Sequence, residues 1–328
     1  MRNLPANSFL PWRHLQVWCS FWHTKPSFYS LSNCKLMAVA ALRALYPVAC
    51  TLGEGLHYSA SLDRLFWVDI KAPALFQMCM RTRSHQRVPM PEPIGWVKET
   101  ASGQWLGGFQ SGVYWLNRHF QPEDKVCALP DEPLSNRLND AKTDRQGHLY
   151  FGTMDNHEQQ PSGQLYRLTA QGAVSVDSGY IVSNGPAFSV CGAYLYTVSS
   201  SERVIYRARV GRAGDLIDKH PFIQFSMVDG YPDGLTVDSS GNLWVACWQG
   251  FGVRCYSASG RFIRHIMLPA PNVTNVTFAG THYDRLFVTT ARIGLSESVL
   301  ARYPLSGALF ELDVTQRGIA EHPVYMGC

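Results

Sequence analysis

The 328-residue chain has no run of eighteen or more apolar residues, which excludes a membrane-spanning helix of ordinary length. It also lacks any stretch of sustained helical periodicity, so long amphipathic helices are not expected. Charge is scarce. Only 16% of residues are charged and the net charge is +4, with no cluster of Lys and Arg interleaved with aromatics. Neither nucleic acid nor a membrane surface is therefore an expected partner. No acidic residue precedes Glu54, and residues 1–36 hold Trp12, Trp18, Trp22, prolines and a few basic residues without a periodic pattern. This segment reads as an extension outside the fold, with Met37 as the expected true start and one domain over residues 37–328. It has no clean apolar stretch ending in a small-residue cleavage site, so a secretory signal is not expected.

The nine cysteines are odd in number, irregularly spaced and free of any C-x-x-C pair. That argues against a disulfide framework or a zinc cluster and suits a reducing cytoplasm, most of the thiols being small buried hydrophobes. The common catalytic signatures are missing as well. There is no G-x-S-x-G, no H-E-x-x-H, no glycine-rich phosphate loop and no EF-hand loop. Serine hydrolase, zincin and nucleotide-binding readings fall away with them.

What the chain does contain is a repeat. Leu65-Phe66-Trp67-Val68, Trp105-Leu106-Gly107-Gly108, Leu149-Tyr150-Phe151-Gly152, Leu195-Tyr196-Thr197-Val198, Leu243-Trp244-Val245-Ala246 and Leu286-Phe287-Val288-Thr289 recur at steps of 40, 44, 46, 48 and 43 residues. Each step suits one four-stranded blade. Turn pairs such as Ser102-Gly103, Gln146-Gly147, Cys191-Gly192, Ser240-Gly241 and Tyr283-Asp284 precede the strands. Alternating runs such as Val204-Ile205-Tyr206-Arg207-Ala208 follow them, with the period of half-buried antiparallel strands. Six such units predict an all-β chain folded as a six-bladed β-propeller. Pro323-Val324-Tyr325 is expected to pair near Tyr46-Pro47-Val48 and close the ring.

A propeller gathers its ligand at one mouth of the channel, so functional residues should be scattered about one per blade. Four polar clusters qualify: Gly53-Glu54-Gly55, Asn136-Arg137-Leu138-Asn139-Asp140, Ser183-Asn184-Gly185 and Tyr231-Pro232-Asp233-Gly234. Glu54, Asn184 and Asp233 offer two carboxylates and one neutral carbonyl, a donor set that suits Ca²⁺, Mg²⁺, Mn²⁺ or Zn²⁺. Each also has an ordinary reading: Asn-Gly and Asp-Gly are common turn dipeptides, and Glu54 could cap a strand end. Arg137 and Asn139 alternate and so share one face of a strand, where they could reach one ligand or form a surface ion pair. The sequons Asn272-Val273-Thr274 and Asn275-Val276-Thr277 carry little meaning in a cytoplasmic protein.

On these clusters the chain resembles the SMP-30/gluconolactonase/regucalcin family from about Leu52 to Gly327. The likeness lies in Leu52-Gly53-Glu54-Gly55, Leu65 to Ile70, Arg137 to Asp144, Gly152-Thr153-Met154, Ser183-Asn184-Gly185, Pro232 to Leu235, Gly241 to Ala246 and Gly307 to Phe310. The resemblance implies hydrolysis of a sugar (aldono) lactone to the sugar acid; independently of it, a monomer is the default expectation. It implies one divalent ion, among Ca, Zn, Mn, Mg and Fe, held by Glu54, Asn184 and Asp233. Asp233 would be the catalytic base, and Arg137 and Asn139 would bind the substrate. Three positions depart from the family pattern. Ala141 replaces a glycine, and Ser199-Ser200 replace Asp-Ser. His157 stands where some members carry a substrate-binding Glu; it is kept as a substrate-binding candidate, with Asp155 close by. The competing readings are a non-catalytic Ca-binding regulatory propeller and a propeller esterase or phosphotriesterase.

Overall fold

The computed structural model describes residues 42–129 and 131–326, so the expected extension over residues 1–36 and the start at Met37 lie outside the described residues. Six four-stranded antiparallel sheets follow one another along the chain. Their first strands are Gly53–Ser59, Ile94–Glu99, Asn136–Thr143, Ser183–Phe188, Tyr231–Val237 and Asn272–Ala279. These six touch one another in cyclic order, the last packing against the first. They therefore line a central channel, and the sheets are the blades of a six-bladed propeller, as the repeat predicts. The inner strands all begin at one end of this channel, the near mouth.

Each repeat-marking segment is the second strand of its blade: Arg64–Asp69, Trp105–Phe109, Leu149–Asp155, Tyr194–Ser199, Leu243–Trp248 and Arg285–Ala291. A second strand is flanked by strands on both edges and by neighbouring blades on both faces. Continuous apolar runs are favoured there instead of alternation. Trp67 stacks on Phe76 with ring centroids 5.2 Å apart. Trp96, Leu106 and Val113 of blade two pack with Leu149, Phe151 and Tyr166 of blade three. The turn signals also hold, Gly103, Gly147, Gly192 and Gly241 all having positive φ.

Ring closure differs from the expectation. Leu42–Tyr46 pairs antiparallel with Leu309–Asp313, Leu42 opposite Leu312 and Tyr46 opposite Leu309, and completes blade six as its outermost strand. Val324 instead makes a parallel bridge to Thr100 of blade two, and the Tyr325 N–H donates to the Gly147 carbonyl. The physical reason lies in hydrogen-bonding capacity. An outer strand needs several consecutive ladder groups, which the five residues of Leu42–Tyr46 provide, whereas Pro323 has no N–H. Val324 is fully buried and fills a slot among Trp96, Leu149 and Tyr166.

Residues 317–325 consequently form a strap across the far end of the channel. Ser239 N–H donates to the Arg317 carbonyl, Gly318 N–H to Tyr283, and Ala101 N–H to Val324. The strap sends Glu321 into the channel, where its carboxylate accepts from Lys98 Nζ at 2.6 Å and from Thr143 N–H at 3.0 Å. Lys142 Nζ and His57 Nδ1 each lie 3.4 Å away. The single α-helix among the described residues, Glu297–Arg302, is far too short to cross a membrane.

Of the described cysteines, Cys50, Cys127, Cys247 and Cys255 are buried, Cys79 is half-buried and Cys191 exposed, and all six are free thiols.

Candidate active site

All six inner strands carry a register break against their second strands, in the near half of the strand. The breaks fall between Glu54 and His57, Ile94 and Trp96, Leu138 and Ala141, Asn184 and Ala187, Pro232 and Leu235, and Val273 and Asn275. A bulge at such a point leaves ladder groups unpaired and re-aims side chains. Glu54, Asn139, Asp140, Asn184, Asp233 and Asn275 all lie at or within these bulges, and all are buried. Close approach of the inner strands needs glycine at two of them. Gly55 has φ +61°, and a Cβ there would collide with the Gly95 carbonyl oxygen of blade two. A Cβ on Gly234 would stand 2.5 Å from Asn275 Nδ2.

One chain of hydrogen bonds runs across three blades. Arg137 Nη1 donates to Asn139 Oδ1 at 2.6 Å. Asn139 Nδ2 donates to Asn184 Oδ1 and to the Ser183 carbonyl, both at 2.7 Å. Asn184 Nδ2 then donates to Ser200 Oγ at 2.9 Å, and Ser200 donates to the Pro232 carbonyl at 2.7 Å. A hydroxyl has a single proton. Because Ser200 gives its own to Pro232, its oxygen accepts from Asn184, and the Asn184 amide is held in one orientation. The Asn184 oxygen keeps a second lone pair free. Both Nδ2 protons of Asn139 are engaged, so this residue holds Arg137 and Asn184 in place and retains a lone pair on Oδ1.

Three carboxylates share the near half of the channel. Burial, and then the Asp140 charge, push the Glu54 carboxyl well above the ordinary carboxylate range. Burial raises Asp233 in the same way, reinforced by Glu54 and Asp140. Asp140 is raised by burial to about 6, against the opposing pull of the Gly185 N–H, Lys98, Lys142 and Asn275. Asn275 Nδ2 bridges Glu54 at 3.1 Å and Asp140 at 2.8 Å, and the Gly185 N–H donates to Asp140 at 3.1 Å. Among the described residues no Lys, Arg or His forms an ion pair with Glu54, Asp140 or Asp233. Buried like charges without a counter-ion favour a bound cation. No three of His, Cys, Asp and Glu converge to hold a metal among the described residues. The donors on offer are two carboxylates and the oriented Asn184 oxygen, a hard-oxygen set that fits a divalent ion.

Residues 52–292 match the SMP-30/Gluconolactonase/LRE-like region. The chain belongs to this family. It is 32% identical over 278 residues to the 6-deoxy-6-sulfogluconolactonase of Pseudomonas putida, an alignment covering 84% of this chain and 95% of that protein. It is 31% identical over 280 residues to a pentonolactonase of Haloferax volcanii, covering 83% and 94% respectively. Human regucalcin is 26% identical over 295 residues, covering 87% and 99%. In fold, the chain is similar to a calcium-binding regucalcin of Agrobacterium tumefaciens, with TM-score 0.83, 24% identity, and 87% and 97% of the two chains covered.

Within this SMP-30/gluconolactonase-type propeller, Glu54, Arg137, Asn139, Asn184 and Asp233 sit on bulged inner strands at one mouth. His157 lies in the exposed loop after Leu149–Asp155, its N–H donating to Asp155 Oδ1 at 3.2 Å. Asp155 is not free to reach a ligand, because its two oxygens accept from the N–H groups of His157, Gln159 and Gln160. The charge from this loop that reaches the site belongs to Glu158, which acts on Arg137 and Asp233. Sequence reasoning also missed Asp140 as a charged group of the site, Ser200 as the clamp on Asn184, and Asn275. The last was visible only as a sequon, and that sequon is buried in blade six.

Proposed function

We propose that the chain hydrolyses a sugar lactone to the sugar acid at the near mouth, with a divalent cation held by Glu54, Asn184 and Asp233. The observation that carries this reading is the buried, unpaired carboxylate couple of Glu54 and Asp233 beside an amide fixed by Ser200. When bound, the cation supplies Lewis-acid polarisation of the lactone carbonyl and charge for the developing oxyanion. Asp233 is the base. It accepts a proton from the attacking water as the water oxygen bonds to the carbonyl carbon, and returns that proton to the ring oxygen as the C–O bond breaks. Arg137 donates to ring or hydroxyl oxygens, Asn139 accepts through its remaining lone pair, and His157 approaches from the loop. Those buried polar groups favour a polyhydroxylated substrate, since an apolar ester would leave them unpaired. The lactonase names of the two bacterial and archaeal relatives support the same substrate class.

The test is acid release from gluconolactone, xylonolactone, arabinonolactone and galactonolactone, with chelation and metal add-back. Hydrolysis of at least one is expected to vanish with EDTA and return with a divalent ion. Glu54→Gln is expected to weaken the metal titration by about tenfold or more. An inert protein that still binds Ca²⁺ would favour the regulatory reading instead, and metal-independent hydrolysis would remove the proposed ion from the reaction.

A further inference from the structure

Lys71 stands in the turn between the second and third strands of blade one. Its backbone is pinned there, Asp69 Oδ1 accepting from the N–H groups of Lys71 and Ala72. From this turn the half-buried side chain reaches past blade two to blade three, where Nζ donates to Asn156 Oδ1 at 2.7 Å. The loop it meets is the one that carries His157 and Glu158. Arg137 is close enough that its charge, after burial, pushes the Lys71 ammonium pKa down. Two cations from different blades thus come near one another at the near mouth, Arg137 standing opposite Met154 in the paired strand, two residues before the Asn156 that Lys71 holds. Among the described residues neither is in an ion pair. Arg137 is 4% exposed, and its buried Nε has no hydrogen-bond partner. The Glu158 charge favours the protonated form of both cations without approaching either to ion-pair distance.

A structural role does not account for this arrangement. A neutral side chain would bond Asn156 as well and without repelling Arg137, and the Arg137 guanidinium, buried beside the channel carboxylates, is in no ion pair with any of them. We infer that Lys71 and Arg137 form a cation-lined subsite for an anionic terminal substituent, such as a carboxylate, on the sugar lactone. This inference rests on the lactonase reading above and adds to it the charge class of the substrate. The geometry divides the labour. The inner carboxylates and their cation hold the reacting ester end, and Arg137, which also donates to the sugar's own oxygens, extends the positive charge outward to Lys71 at the far end of the sugar. Charge-assisted hydrogen bonds of this kind discriminate between a carboxylate and a neutral hydroxymethyl group.

The test compares glucono-1,4-lactone with glucaro-1,4-lactone, which share a ring and differ in a terminal hydroxymethyl or carboxylate. The wild-type protein with saturating metal is expected to show kcat/KM about tenfold higher for the acidic lactone. Lys71→Gln is expected to bring that ratio close to one, chiefly through KM. Asn156→Asp, which places a carboxylate on Lys71, is expected to do the same with the lysine still present. A wild-type ratio of one or below, or a ratio unchanged in both variants, overturns the subsite. Calorimetric binding of the non-hydrolysed glucono-δ-lactam and glucaro-δ-lactam separates this inference from the lactonase reading. Tighter binding of the acidic lactam, lost in Lys71→Gln, without turnover of any lactone would remove the hydrolase reading and leave the subsite standing. Equal binding of the two lactams overturns the subsite whether or not lactones are hydrolysed.

Discussion

Asp233→Asn is expected to lower kcat by about 10²–10⁴-fold at saturating metal, the range that removal of a positioned general base costs. Saturating metal is the essential condition, because the same carboxylate is proposed both as ligand and as base. If Asp233 were only a ligand, raising the metal concentration would restore kcat in the variant. A persistent loss of kcat with the metal site filled identifies the base. The variant should also fold better than the wild type when metal-free. Burial, Glu54 and Asp140 raise the Asp233 pKa in the folded chain, so the native carboxyl keeps its proton at pH values where the unfolded one has released it. The unfolded state then binds fewer protons, and the stability of the metal-free protein falls as pH rises through that interval. Asp233→Asn removes this contribution. Thermal unfolding in EDTA at neutral pH should show a higher Tm for the variant, and the difference should fade below the ordinary carboxylate range.

Glu321→Ala is expected to destabilise the fold by about 3–5 kcal/mol, the cost of removing one partner from a buried ion pair. Lys98 and Lys142 both depend on this carboxylate, and the Lys98 side chain is 3% exposed. Burial alone would raise the Glu321 pKa, but Lys142, Lys98 and His57 outweigh it and hold it well below the ordinary range. For a depressed carboxylate, the stabilisation is complete above the unfolded pKa and is lost as pH falls through the folded value. Denaturant unfolding of wild type and variant should therefore differ most at neutral pH and converge in strong acid. Equal stability at pH 7 would show that the strap lies over the channel without holding it. The chain's electrostatics are layered: Glu54 and Asp233 at the near mouth, Asp140 below them, then the two lysines, then Glu321 from the strap. The lysines favour ionised Asp140, so loss of Glu321 would also alter the charge balance beneath Glu54 and Asp233.

Much of the fold was legible because blade repetition is a local property. Leu65-Phe66-Trp67-Val68 and its five counterparts are second strands, enclosed on every side, and enclosure writes itself into sequence as an unbroken apolar run. The glycine turns before them were legible for the same reason, since positive φ is a requirement of a few adjacent residues. Closure was not. Whether Leu42–Tyr46 or Pro323–Tyr325 completes blade six depends on which segment can offer a ladder to Leu309–Asp313, and those residues are distant in sequence.

The same division runs through the site. Glu54, Asn184 and Asp233 stood out as candidates because glycine beside a polar oxygen donor is a short motif with a family likeness, and Arg137 and Asn139 because strand alternation puts them on one face. Asn275 and Ser200 carried no such mark. An asparagine in a sequon and a serine after a strand acquire their roles only when a bulge turns one toward Glu54 and Asp140 and the ring brings the other against Pro232. Lys71 and Asn156 are 85 residues apart and meet only because blades one and three share a mouth. The sequence by itself determined the six blades and the family, and it nominated the polar residues that the fold gathers at one mouth. Tertiary structure alone decided which amides orient those donors, how the ring closes and what charge stands beneath the site, because each depends on distances between blades that no local pattern encodes.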